Sequence, residues 1–212
     1  MSDKQTINSR RYLDLLNYFQ AAMEHPQPIP HPDHTVNHLA ANEQRPLRKA
    51  SVLIPITRAA PGSSSQVILT VRSENLSSHA GQISLPGGTK EDHDIDVFAT
   101  ALRESEEEIG LLPEHVEIIG KLGDMALPSG YEVTPVVGII TAGLELTPCP
   151  IEVADIFHAP LDLVLDPDAY IHSSMMFNNK PRKIMELHFE DYRIWGATAA
   201  ILYHLAKETS GG

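Results

Sequence analysis

Apolar positions follow helical spacing at both ends of the chain and β-branched runs between them. Over residues 8–23, Tyr12, Leu13, Leu16, Phe19, Ala22 and Met23 recur three or four apart, which predicts an amphipathic helix. Residues 25–48 then alternate proline with polar residues and read as a linker or meandering loop. Ser51 to Thr57 and Gln66 to Val71 are β-branched runs separated by Pro61-Gly62-Ser63-Ser64-Ser65, a predicted hairpin. A glycine-rich loop covers residues 79–93, and residues 96–109 predict a helix closed by Gly110. Val116 to Leu122 and Val133 to Thr141 follow as strands, with a helix opening at Glu152 and a short helical piece at Pro160 to Leu165. Lys183 to Phe189 is a further strand, and Ile194 to Lys207 a C-terminal helix. Strands grouped around one central helix predict a mixed α/β sandwich.

The length of 212 residues favours one domain with an added arm: an N-terminal helix and Pro/His-rich linker over 1–48, and the main domain over 49–208. The formal charge of −12 argues against a nucleic-acid partner but admits a small anion brought in with a cation. The longest apolar stretch falls far short of the roughly 20 residues that span a bilayer, so no membrane partner is expected. The first residues lack the basic-then-apolar order of a signal peptide, and the expected location is cytoplasmic. Cys149 is the single cysteine and has no neighbouring histidine, so it reads as incidental. His25, His31, His34 and His38 have no metal-site spacing and are assigned to a surface loop.

The chemistry sits on the helix at 97–110. Phe98, Ala101, Leu102, Ser105 and Ile109 form one inward stripe, and Asp94 or Asp96 can cap its start. Glu104, Glu106, Glu107 and Glu108 crowd its last two turns. Acids at a helix C-terminus oppose the macrodipole by about 0.3–1 kcal/mol each, and like charges one turn apart add a few tenths. Arg103 relieves part of this by pairing with Glu107. Carboxylates kept on one face despite that penalty suit Mg²⁺ or Mn²⁺, which prefer oxygen ligands. A solvated acidic face is the competing reading. The preceding loop, with Gly81, Gly87 and Gly88, lets the backbone turn sharply and offers N–H groups to phosphate.

The string Gly88…Arg103-Glu104-Ser105-Glu106-Glu107-Glu108-Ile109-Gly110-Leu111 resembles the Nudix box. Ser105 stands where an apolar residue is usual. Asp94 stands where the first glutamate belongs, one residue further than usual from the arginine. Upstream, Ile68-Leu69-Thr70-Val71-Arg72-Ser73, Gly81 and Leu85-Pro86-Gly87-Gly88 resemble the motif of the coenzyme A diphosphatase branch, with Ser77 in place of its second arginine and Leu85 in place of phenylalanine. Downstream, residues 130–138, 152–157 and 194–198 also resemble bacterial members.

This resemblance implies an α/β/α sandwich with a mixed β-sheet and a Mg²⁺- or Mn²⁺-dependent diphosphatase. Glu104, Glu107 and Glu108 would hold metal, and Arg103 would orient them. Arg72, Gly81, Gly87 and Gly88 would meet substrate, and Glu152 or Glu107 would serve as general base. The expected partner is a small nucleotide diphosphate: coenzyme A or acyl-coenzyme A, yielding 3′,5′-ADP and phosphopantetheine. NADH, ADP-ribose or another nucleotide diphosphate is the alternative, and a non-catalytic ligand-binding module the second. A homodimer is left open.

Overall fold

The computed structural model describes residues 2–21, 26–34, 36, 46–58, 64–76, 78–177 and 179–210. In order these form α1 (Ser2–Ala21), β1 (Arg48–Arg58), β2 (Gln66–Arg72), β3 (Ile83–Ser84), β4 (Gly87–Thr89), α2 (Val97–Ile109), β5 (Val116–Lys121), β6 (Met125–Ala126), β7 (Tyr131–Thr141), β8 (Val153–Pro160), α3 (Leu161–Val164), β9 (Ile171–Phe177), β10 (Lys180–Phe189), β11 (Tyr192–Trp195) and α4 (Ala197–Ser210).

The first eight strands make one mixed sheet, in which β1 and β7 run parallel for eleven residue pairs, from Arg48 opposite Tyr131 to Arg58 opposite Thr141. The other pairings in this sheet are antiparallel. Successive side chains along a strand point to opposite faces, so each central strand feeds two cores. Leu53, Ile68, Val136 and Ile140 pack against Ala101 and Ile109 of α2. Ile54, Ile56, Val67, Leu69, Val137 and Ile139 pack on the opposite side, under α1, α3 and α4. The result is the expected α/β/α sandwich with a mixed sheet and an N-terminal helix.

Three features differ from the sequence reading. Glu152 opens no helix: it sits in a turn, and Val153 begins β8, whose buried Val153, Phe157 and Ala159 seat the strand beside β2. Ile194 and Trp195 belong to β11, and α4 starts after Gly196, which turns the chain with a left-handed φ of 69°. Residues 171–195 form a second antiparallel sheet, β11-β10-β9. Within it the buried carboxylate of Glu186 accepts from Arg193 Nε at 2.7 Å and Nη2 at 2.9 Å, and from Ser173. The Arg193 bonds first, then Ser173, hold that carboxyl down at about 2.

Met23, His25 and His38 lie outside the described residues. His31 and His34 lie in irregular chain. That segment is nonetheless seated: Ile29 and Val36 are buried, and the Ile29 N–H donates to the Asp124 carbonyl at 3.0 Å. Among the described residues no helix is long and apolar enough to cross a membrane.

The helix α1 shares the core of the sandwich. Leu15 is fully buried and Phe19 lies against Gly120, where even a methyl group would collide with its ring. Leu15→Ala is expected to destabilise the protein by about 2–5 kcal/mol, a fall of roughly 5–15 °C in Tm for a domain of this size. Leu13→Ala, at a 55% exposed position, should shift Tm by little. Calorimetry on the two variants checks this, and equal Tm values would detach α1 from the core.

Candidate active site

Construction of the site begins with α2. Asp96 caps its start by accepting from the Ala99 N–H at 2.8 Å, and Gly110 ends it at a φ of 67°. Ser105 is fully buried, and its hydroxyl donates to the Ala101 carbonyl at 2.7 Å, which satisfies the polar group at a position where an apolar residue is usual.

Asp94 is not the helix cap. It sits in a tight turn, accepting from the Glu91 N–H and the Thr100 hydroxyl, and is nearly fully buried. Its two oxygens receive Nε and Nη2 of Arg103 at 3.1 and 3.0 Å, a two-pronged charged contact. This pairing with Arg103, more than any other contact, holds the Asp94 carboxyl far below the ordinary range. The remaining donors of Arg103 reach Glu104 at 3.0 Å, Glu107 at 3.1 Å and the Thr89 carbonyl at 3.0 Å. One arginine, braced by Asp94, thus orients two of the four crowded glutamates and fastens β4 to α2.

The glycines let β4 come close. Gly87 has a φ of 151°, and a Cβ there would stand 2.3 Å from the Ser51 carbonyl oxygen. Its N–H donates to the Glu108 carboxylate at 3.2 Å. A Cβ on Gly88 would meet the Glu104 carboxyl carbon at 2.5 Å, so that side chain lies directly over the strand. Gly81 sits further off, where its N–H donates to the Arg72 carbonyl at 3.1 Å and the Glu74 carboxylate lies over it.

The far end of α2 is clamped by the loop that carries Glu152. The Thr147 N–H donates to the Ile109 carbonyl and the Cys149 N–H to the Glu108 carbonyl, at 3.0 and 2.8 Å. The Ser73 N–H donates to the Glu152 carbonyl at 2.8 Å, and Arg72 pairs with Val153 beside a shift in strand register. Glu152 is thereby near enough for its charge to act on Glu104 and Glu108. Cys149 enters the site through its backbone only. Ser77 lies outside the described residues.

Burial dominates the electrostatics. Glu108 is 3% exposed, and desolvation pushes its carboxyl up to about 8, against the Gly87 N–H and the charge of Arg72. Glu104 and Glu152 raise it further. Burial also raises Glu104, opposed by Arg103 and reinforced by Glu107 and Glu152. Glu107 is 59% exposed and faces Arg103. The Nε of Arg72 is buried without a hydrogen-bond partner.

Among the described residues no three acidic, histidine or cysteine side chains converge into a ready-made cage. The donor set nevertheless suits a hard divalent cation. Glu108 is buried against a neutral N–H, half-buried Glu104 shares the single charge of Arg103 with Asp94 and Glu107, and Mg²⁺ or Mn²⁺ takes few carboxylates while keeping waters. Arg72 supplies an unpaired guanidinium donor on the same wall, suited to phosphate.

The Glu108 carboxyl titrates near 4.3 in an unfolded chain and near 8 in the fold, so the folded state binds the extra proton between those values. Stability of the metal-free protein therefore falls as pH rises through that window. Glu108→Gln removes the group, and its gain in stability over wild type should be absent below pH 4 and reach roughly 1 kcal/mol or more by pH 8. Chemical denaturation in chelator from pH 4 to 8 measures this; a variant less stable than wild type at pH 8 contradicts it.

The sequence comparisons agree with this geometry. A family model, the NUDIX domain, matches residues 47–176. The chain is 38% identical over 161 residues to an uncharacterized Nudix hydrolase, NudL, of Photorhabdus laumondii, covering 76% of this chain and 84% of that one. It is 41% identical over 162 residues to the NudL of Escherichia coli O7:K1, covering 76% and 82%. Among solved structures, the Nudix hydrolase RenU of M. smegmatis aligns with a TM-score of 0.52 at 20% identity, covering 77% of this chain and 85% of that one. A MutT protein of Methanosarcina mazei Go1 aligns at 0.51 and 17% identity, covering 81% and 100%. These structures share the fold. The family match across most of the domain, on a helix whose arginine and glutamates stand as described, means that this chain belongs to the Nudix hydrolase family.

Proposed function

We propose that this Nudix hydrolase is a Mg²⁺- or Mn²⁺-dependent diphosphatase whose preferred substrate is coenzyme A or an acyl-coenzyme A, cleaved to 3′,5′-ADP and (acyl)phosphopantetheine. The observation that carries the reading is a cluster of glutamates that outnumbers the positive charge reaching it, beside an arginine with an unpartnered donor. Glu104 shares Arg103 with Asp94 and Glu107, Glu108 accepts from the neutral Gly87 N–H, and the Arg72 Nε lacks an acceptor. A divalent cation with an anionic diphosphate completes both. The coenzyme A branch is supported by the upstream motif, since the charge of Arg72 reaches Glu108, the Gly87 N–H donates to it, and the Gly81 N–H holds the Arg72 carbonyl.

Each residue then has a task. Glu104, Glu107 and Glu108 would hold the cation. When bound, it would neutralise the diphosphate and lower the pKa of a water near the phosphorus. Arg103 sets the glutamate rotamers and stays away from substrate. Arg72 binds a phosphate oxygen. Water oxygen attacks phosphorus, the bridging P–O bond breaks, and the water's proton passes to a carboxylate. Glu152 suits that last task better than Glu107, because its charge reaches the buried pair while Glu107 is exposed and tied to Arg103. A second reading, hydrolysis of NADH, ADP-ribose or another nucleotide diphosphate, is favoured by Ser77, which brings no charge where the branch motif has arginine.

Turnover of coenzyme A, dephospho-coenzyme A, NADH and ADP-ribose, with Mg²⁺, Mn²⁺ or chelator, separates the readings. Metal-dependent hydrolysis with coenzyme A in the lead is expected, and Glu104→Gln should lower kcat by about 10² or more. A lead for NADH or ADP-ribose selects the second reading. Saturable binding without turnover makes the chain a ligand-binding module.

A further inference from the structure

The segment Ile194-Trp195-Gly196-Ala197-Thr198 takes no part in the chemistry above. Gly196 divides it. β11 ends at Trp195, and the Ala200 N–H donates back to the Gly196 carbonyl at 3.0 Å as α4 opens. Thr198 therefore stands in the first turn of α4. Its hydroxyl donates to the Ile83 carbonyl at 3.0 Å, across 115 positions of sequence.

That carbonyl lies at the edge of the sheet. Val71 and Ile83 stand opposite each other in β2 and β3, and in the next pair the Arg72 N–H donates to the Gln82 carbonyl at 2.9 Å. Opposed residues of an antiparallel pair alternate between exchanging hydrogen bonds and turning their polar groups away. The Ile83 carbonyl thus points off β3, a strand of only two residues. Ile83 is buried, and a buried carbonyl without a partner is costly, so the Thr198 hydroxyl closes the ladder at this point.

The same stretch of chain grips the other side of Val71. The Tyr192 hydroxyl donates to Asp155 Oδ2 at 3.1 Å, and its ring stacks on Phe157 with centroids 3.7 Å apart. Asp155 lies opposite Val71 in β8, as Ile83 does in β3. Residues 192–198 therefore strap together the two strands that flank Val71, and Arg193, bound to buried Glu186, fastens the strap to β10. Arg72 is the next residue along β2. Its Nε has no hydrogen-bond partner among the described residues, so the backbone decides where its guanidinium starts.

We propose that Thr198 is a positioning residue for phosphate binding, holding through Ile83 the short β3 ladder that sets Arg72 in place. This rests on the diphosphatase reading, in which Arg72 takes a phosphate oxygen. Guanidinium meets phosphate through donors in a fixed fork, so a small displacement of the strand weakens the contact.

Thr198→Val keeps the side-chain shape and removes the donor, while Thr198→Ser retains the donor. With the best diphosphate substrate, Thr198→Val should raise KM about 5-fold or more while kcat stays within about threefold, and Thr198→Ser should stay within about twofold of wild type. In an Arg72→Ala background Thr198→Val should change KM by less than about twofold, because both substitutions then remove one contact. An unchanged KM in Thr198→Val overturns the proposal, as does an equal rise with and without Arg72, the mark of a purely structural residue. Thr198→Cys, with a weak thiol donor, should fall between serine and valine and carries the test where valine prevents folding. A second measurement needs no turnover. The ¹H–¹⁵N signal of Arg72 Nε, identified by its loss in Arg72→Lys, is compared in metal-free wild type, Thr198→Ser and Thr198→Val. Displacement in Thr198→Val with the wild-type position kept in Thr198→Ser supports the positioning of Arg72 even if the wild type hydrolyses no diphosphate, the result that would sink the diphosphatase reading alone. An Arg72 signal unmoved in Thr198→Val overturns the proposal.

Discussion

Carboxylates of like charge buried on one helix face are the constraint around which this molecule is arranged. Glu104 and Glu108 stand one turn apart near the end of α2, where the helix dipole, their mutual repulsion and burial all oppose ionisation. The surrounding structure manages this without removing it. Arg103 is held by a buried aspartate so that its other donors reach Glu104, Glu107 and the Thr89 carbonyl. The Gly87 N–H offers Glu108 a neutral donor. The net charge deficit that remains is what a divalent cation would fill.

The fold places these parts by backbone geometry more than by side-chain packing. The two glycines of β4 let the strand approach both Ser51 and the Glu104 carboxylate. The loop 147–152 caps the last carbonyls of α2 and hangs Glu152 at the end of β2, so backbone hydrogen bonds join the helix, the base candidate and the strand that carries Arg72. Behind the sheet, residues of α1, α4 and the three-strand sheet β9–β11 supply the second core, on the side away from α2.

Much of this was legible in the sequence. The helix at 97–109 is legible from its apolar stripe, with Asp96 and Gly110 at its ends, and four acids crowd its last turns. The misses have identifiable causes. Glu152 after Pro148-Cys149-Pro150 reads like an acid at a helix start, yet Phe157 and Ala159 alternate onto one face of a strand, while Val153 faces the α2 side across a register shift that blurs the pattern. Ile194 and Trp195 continue the apolar spacing of the last helix, and only the left-handed turn at Gly196 separates them. Of the two aspartates that could cap the helix, Asp96 does so, while the role of Asp94 depends on Arg103, nine residues away, a contact that spacing along one helix does not reveal. The 171–177 strand has serines and histidine among its apolar residues, which blurs the alternation.

The central claim is that Glu104 and Glu108 form a divalent cation site, and Mn²⁺ binding tests it without reference to any substrate. Titration of the chelator-treated protein, followed by loss of the free Mn²⁺ electron paramagnetic resonance signal, should show saturable binding at pH 8. Glu104→Gln and Glu108→Gln should each weaken it by about 10-fold or more, a typical effect of losing one charged ligand contact. Mn²⁺ affinity equal to wild type in both variants would contradict the account.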